Sequence, residues 1–198
     1  MHAFRRGRRL GHAFYARHPL VVAPELLNKV LIHGDRGGRI VEVEAYCGPD
    51  DPASHAYRGP TPRTATMFGP PGRLYVYFSY GVHWCANVVT HEPGQVGAVL
   101  LRALAPLRGV DAMREARPAV RRDVDVANGP AKLTQALGVD GTHDGTDLRS
   151  AEHGITVVDD GVPPPTDPAI GPRIGIRAAV ELPWRFSVPD DPHRSRPW

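Results

Sequence analysis

Glu42, Glu44 and Tyr46 fall at every second position of the run Val41-Glu-Val-Glu-Ala-Tyr46. Read as a strand over residues 39–46, this spacing puts the three polar side chains on one face and Val41, Val43 and Ala45 on the other. A carboxylate in such a place can deprotonate a water or stabilise positive charge that develops on a reacting centre. The same face could equally be solvated, because charged strand positions mostly meet water. A third reading joins Glu42 and Glu44 to His55, His83 and Cys85 as the metal ligands of a hydrolase. The atom types suit that reading, but the spacing fits no standard zinc pattern.

The elements that must position these residues alternate between helical and strand-like periods. A helix is expected over residues 24–31, opening at Pro24, with Leu26, Leu27, Val30 and Leu31 at helical spacing and Gly34 beyond it. After the strand come residues 50–72, crowded with Pro, Gly and Arg, a long connection of the kind that carries function in a compact domain. Residues 74–79 and 83–90 read as two strands of a hairpin turning at Tyr80 and Gly81. A third strand is expected at 96–104 and helices at 110–117 and 130–137, the latter with Pro130 in its first turn and Gly138 just past its end. Strands resume near Ile155 and Ile174. Because helices and strands do not alternate regularly, the fold class is α+β: a single compact domain with a mixed, largely antiparallel curved sheet flanked by helices.

A chain of 198 residues with 41% hydrophobic content suits one domain with a substantial core. Residues 1–16, carrying Arg5, Arg6, Arg8 and Arg9 without an apolar period, read as a mobile basic arm, and residues 189–198 as a polar tail. The catalytic domain would then span residues 17–188. Five prolines between Gly161 and Pro172 mark an exposed loop. The apolar runs are short and nothing approaches the roughly 20 residues that span a bilayer, so no membrane association and a cytoplasmic location are expected. Cys47 and Cys85 are too few for a disulfide scaffold and are expected to be reduced and structural. Lys29 and Lys132 are the only lysines beside 22 arginines, and the formal charge is +3. That balance suits an anionic partner, although a biased genome composition would produce it too.

One long ordered series remains: Val41-Glu-Val-Glu-Ala-Tyr-Cys-Gly-Pro-Asp50, Ser54-His55, Thr61-Pro-Arg63, Met67-Phe68, Pro71-Gly72, Leu74-Tyr-Val-Tyr77, Tyr80-Gly81 and Asn87. It continues at Val99-Leu-Leu-Arg-Ala-Leu104, Gly129-Pro-Ala-Lys-Leu133 and, more weakly, Pro172-Arg-Ile-Gly-Ile176. The series resembles the alkyladenine (3-methyladenine) DNA glycosylase family over most of residues 17–188. His83, Trp84, Tyr57 and Arg58 depart from the residues more familiar there.

The resemblance implies a monofunctional glycosylase of base-excision repair that flips a damaged purine from double-stranded DNA and hydrolyses its N-glycosidic bond. By position it assigns Glu44 as the catalytic base. Arg102 helps hold the water, together with a backbone carbonyl from residues 173–176. Tyr46, His55 and Tyr77 correspond to the walls of the base pocket, with the His55 backbone amide reading the base, and Asn87 to the group that excludes the guanine amino group. Tyr80 corresponds to an intercalating wedge, and Arg63 and Lys132 to contacts with the DNA backbone. The implied protein is a monomer that needs no cofactor and no metal. A nonenzymatic DNA-binding protein would keep the wedge and the cations but would have no use for Glu44 beside pocket aromatics.

Overall fold

The computed structural model describes residues 7–91 and 94–195. Its centre is β3 (Arg36–Tyr46), which is hydrogen-bonded along both edges. One edge carries β6 (Gly97–Arg108). The other carries β2 (Val30–His33) along the first half of β3 and β9 (Arg185–Ser187) against Glu42, Val43 and Glu44. Beyond β6 lie β5 (His83–Thr90) and β4 (Leu74–Ser79); beyond β2 lie β7 (Ile155–Asp159) and β1 (Arg8–Arg9); β8 (Ala169–Gly171) pairs β9. All these ladders are antiparallel, and the sheet curls into a half-barrel.

Four α-helices flank the sheet among the described residues: α1 (His12–Tyr15), α2 (Pro19–Leu26), α3 (Val110–Glu115) and α4 (Pro130–Leu137). Proline at the first position of α4 and Gly138 in the left-handed region at its end (φ 71°) fix both boundaries. Leu133, Ala136 and Leu137 face the core with Leu101 and Leu104 of β6, and Leu26 and Leu27 join them from the α2 side. A smaller cluster of Ala56, Met67, Tyr75, Val89 and Ala98 ties the long connection of residues 50–72 to the sheet. That connection is therefore a packed wall.

Several expectations need correction. The first long helix runs over Pro19–Leu26, not residues 24–31: Pro19 sits in its first turn and His18 Nδ1 accepts the Leu20 N–H at 3.2 Å, a start signal stronger than Pro24. Asn28 then turns the chain at φ 66°, and Val30 and Leu31 pair as a strand between β3 and β7, a tertiary pairing that overrides their helical spacing. Ile174 lies in a bend, because its N–H serves Glu44 instead of a ladder; the strands nearby are β8 and β9. The loop over residues 161–172 thus ends in β8. Arg8 and Arg9, expected in a mobile arm, pair with Val158 and Asp159, and Tyr15 is fully buried. Arg5 and Arg6 lie outside the described residues. No helix among the described residues is long and apolar enough to cross a membrane.

Candidate active site

Glu44 is in the part of β3 that is paired on both edges, and neither it nor Glu42 is exposed. The alternative of a solvated face is thereby excluded. What permits two carboxylates here is a local fault in the ladder. Ile40 pairs Leu104 and Glu42 pairs Ala103, so Val41 is an extra residue on β3; Val43 then pairs Leu101, so Arg102 is an extra residue on β6. Such bulges re-aim side chains. Arg102 is turned into the space between Glu42 and Glu44, with Nη1 3.1 Å from Glu44 Oε1 and Nε 3.4 Å from Glu42 Oε1.

Glu44 has three donors. Arg102 and the Ile174 N–H (2.7 Å) reach Oε1, and the Tyr46 hydroxyl donates to Oε2 at 2.9 Å. A carboxylate offers about four lone-pair directions, so one on Oε2, beside Tyr46, remains for a further partner. Burial raises the pKa of Glu44 above the usual 4.5, and the Glu42 charge adds to it; Arg102, the Ile174 N–H and the Tyr46 hydroxyl oppose that rise without cancelling it. The result is a more basic carboxylate than an exposed one. Burial, reinforced by the Glu44 charge, holds the Tyr46 phenol neutral, so it stays a donor.

Beside this carboxylate opens a cleft of about 1110 Å³. Tyr46, His55, Tyr77 and Asn87 all line it, as does Arg102. The His55 ring meets Tyr77 edge-on with centroids 4.5 Å apart and its Nδ1 lies 3.1 Å from the Tyr75 hydroxyl. Burial and the Arg63 charge lower the His55 pKa, which keeps the imidazole neutral at pH 7. Asn87, on β5, is buried and donates to the Tyr75 carbonyl at 3.3 Å. Tyr75 and Cys85 also line the cleft, Cys85 as a buried free thiol.

Tyr80 is at the hairpin tip, 83% exposed, at φ 51°, with Gly81 at φ 67°. Left-handed geometry at both positions is what a tight hairpin turn demands, and a tyrosine tolerates it poorly. Its hydroxyl reaches the Gly175 carbonyl at 3.4 Å. Arg63 donates to the Phe78 carbonyl and lies over the Tyr77 ring, and Lys132, in the first turn of α4, reaches Asn128 Oδ1 at 2.7 Å. Both border the same cleft, together with Arg117 and Arg177, and none of its lining residues among those described is acidic.

All nine residues that the resemblance assigns therefore converge on one cleft or, for Glu44, its buried wall. Three that were not singled out also belong there. Arg173 and Asp51 form a fully buried bidentate pair at 2.5 and 2.8 Å, and the Arg173 guanidinium lies over the rings of Tyr46 and Trp184. Ser195, expected in a polar tail, is buried against Glu42 and Arg102. Residues 173–176, expected to offer a backbone carbonyl to the water, instead present the Ile174 N–H to Glu44. The candidate metal ligands do not converge: Glu42 and Glu44 are committed to arginines, and no group of three or more His, Cys, Asp or Glu among the described residues is placed to hold an ion.

Several bacterial proteins are similar to this chain over nearly its whole length. A protein of Burkholderia lata is 58% identical over 189 residues, covering 95% of this chain and 91% of its own length. One from Frankia casuarinae is 48% identical over 204 residues (94% and 95%), and one from Streptomyces avermitilis 46% over 189 (92% and 89%). Each carries the provisional name 3-methyladenine DNA glycosylase. Residues 13–192 match the methylpurine-DNA glycosylase family, and the chain belongs to it.

Proposed function

We propose that this protein is a base-excision repair glycosylase that draws a damaged purine nucleotide out of double-stranded DNA into the cleft and hydrolyses its N-glycosidic bond. The observation that carries this reading is a buried, triply held carboxylate beside a cleft whose described lining carries aromatic rings, four arginines and Lys132 but no Asp or Glu. As the bond breaks, the sugar gains positive charge, and Glu44 both stabilises that charge and takes a proton from the attacking water. Arg102 fixes the carboxylate. Tyr46, His55 and Tyr77 supply ring faces and edges that offset part of the stacking lost when the base leaves the duplex. Arg63 and Lys132 are placed to hold backbone phosphates. The protein acts as a monomer and leaves an abasic site without cutting the strand.

The test uses duplex oligonucleotides that each carry one lesion, such as a methylated purine, hypoxanthine or ethenoadenine, followed by alkali cleavage at abasic sites. Excision of at least one lesion, with no strand scission before alkali, is the expected result. A lyase needs an amine to form a Schiff base with the sugar. Lys29 lies before β2 in an ion pair with Asp159, and Lys132 is engaged by Asn128. A covalent adduct trapped by borohydride would overturn the hydrolytic mechanism.

Asn87 sets selectivity in this reading, because its amide is pinned against the Tyr75 carbonyl and cannot swing away from a purine 2-amino group. Asn87→Ser is expected to raise guanine excision from mismatches relative to other bases. A parallel fall for every base would make Asn87 structural instead.

Tyr80, protruding from its turn, is suited to fill the gap left by the extruded nucleotide. Tyr80→Ala should therefore weaken flipping more than bond cleavage. Base–aromatic stacking is worth about 1–3 kcal/mol, which corresponds to roughly a 5- to 150-fold loss in the flipping equilibrium. Ethenoadenine fluorescence, quenched in the stack, follows that equilibrium separately from cleavage. An unchanged equilibrium with slower cleavage would move Tyr80 into the pocket chemistry.

A further inference from the structure

Two buried carboxylates compete for one guanidinium in the wall of the cleft. Arg102 lies between Glu42 and Glu44, and its Nε makes no hydrogen bond although Glu42 Oε1 is only 3.4 Å away. Geometry alone would let the guanidinium turn fully toward Glu42 and leave Glu44 with two donors instead of three. Ser195 blocks that turn in two ways. Its backbone N–H donates to Glu42 Oε2 at 2.6 Å, while its hydroxyl accepts from Arg102 Nη2 at 3.1 Å. Arg185 Nη1 takes up Glu42 Oε1 at 3.1 Å, so Glu42 is satisfied without drawing Arg102 away. A guanidinium is planar, and fixing Nη2 on Ser195 while Nη1 meets Glu44 sets the plane of the whole group.

We propose that Ser195, 93 residues from Arg102 in sequence, is a positioning residue for the catalytic carboxylate, acting through Arg102. The proposal rests on the reading of Glu44 as the general base. Ser195 itself lines the cleft but acts on the reaction by holding Arg102 against Glu44. A merely structural serine would matter for folding and DNA affinity; this one matters for the rate of bond cleavage and for the pH at which Glu44 accepts a proton. The charged and titratable groups that act on Glu44 are Glu42 and Tyr46 from its own strand, Tyr77 from β4, Cys85 from β5, Arg102 from β6 and Arg173. Of these, Ser195 touches Arg102 directly and also binds Glu42. Loosening Arg102 removes a charge that favours the ionised carboxylate, so the proton on Glu44 is lost at higher pH.

The experiment measures single-turnover excision of one lesion in duplex DNA against pH, with DNA affinity and Tm alongside, for the wild type, Ser195→Ala, Ser195→Thr and Glu44→Gln. A hydrogen bond to a charged group contributes enough to imply roughly a 10-fold or greater loss of rate in Ser195→Ala. The acid limb of its pH profile should move upward, with affinity and Tm close to wild type. Ser195→Thr, which keeps the hydroxyl, should recover rate and limb together. A Ser195→Ala protein with wild-type rate and limb overturns the proposal, as does one whose rate falls only in step with affinity and Tm. An active Glu44→Gln protein would instead overturn the underlying reading of the base, so the two failures are separable.

Discussion

Glu44→Gln is expected to lower single-turnover excision by roughly 100- to 10,000-fold, the usual contribution of a positioned general base. The pocket should survive the change. A glutamine placed with its carbonyl toward the Ile174 N–H and Arg102 keeps those two contacts, and its amide then faces the Tyr46 hydroxyl, which can rotate to accept. What is lost is the ability to take a proton. The wild-type profile carries a matching sign: Glu44 must be ionised to act, and its pKa lies above 4.5, so excision falls as pH drops through that raised value. The acid limb should therefore lie at higher pH than for an exposed carboxylate. Lesion binding close to wild type together with lost cleavage is the outcome that fits; excision within a few-fold of wild type sinks the assignment. Glu42→Gln should cost less. Glu42 is nevertheless no bystander, since it holds Arg185, the Ser195 N–H and one side of Arg102, and its effect passes through them.

How much of this was legible in the sequence follows the range of the interactions. The hairpin at Tyr80-Gly81, the helix Pro130–Leu137 and the strand carrying Glu44 are announced by local signals: turn residues, an N-terminal proline, a C-terminal glycine and a two-residue period. The helix start at His18-Pro19 was local too, but Pro24 beside an apolar run offered a competing start. Strands β1, β8 and β9 have two or three residues each, too short for any period to show. The chemistry-bearing types at Glu44, Tyr46 and His55 could be read by spacing and resemblance. Arg102 was legible by resemblance too, but the bulge that turns it inward was not, because it exists only once two strands are paired. The other supports could not be read: Ser195 reaches across 153 residues to Glu42, and Arg173 across 122 to Asp51. No local pattern encodes such partners.

The Asp51–Arg173 pair carries the largest expected effect on stability. Arg173 donates from Nη1 and Nη2 to the two Asp51 oxygens and also to the Ala45 carbonyl, while Asp51 accepts the N–H groups of Cys47 and Ala53. One ion pair thus joins the end of β3, the first turn of the long connection and the bend that presents the Ile174 N–H to Glu44. Arg173→Met strands Asp51 as an uncompensated buried charge, which costs about 3–5 kcal/mol. For a chain of this size that corresponds to a fall in Tm of roughly 6–20 °C. Arg173→Lys should recover only part of it, since an ammonium cannot form the fork or lie flat over the rings of Tyr46 and Trp184. Replacing both partners, as Asp51→Leu with Arg173→Met, removes the stranded charge and should restore part of the Tm, the rest staying lost with the acceptor of the Cys47 and Ala53 N–H groups. It should not restore excision, because nothing then draws residue 174 toward the carboxylate. Single-turnover rates measured well below each Tm separate the two roles: a folded double variant that excises at the wild-type rate would reduce the pair to a staple of the fold.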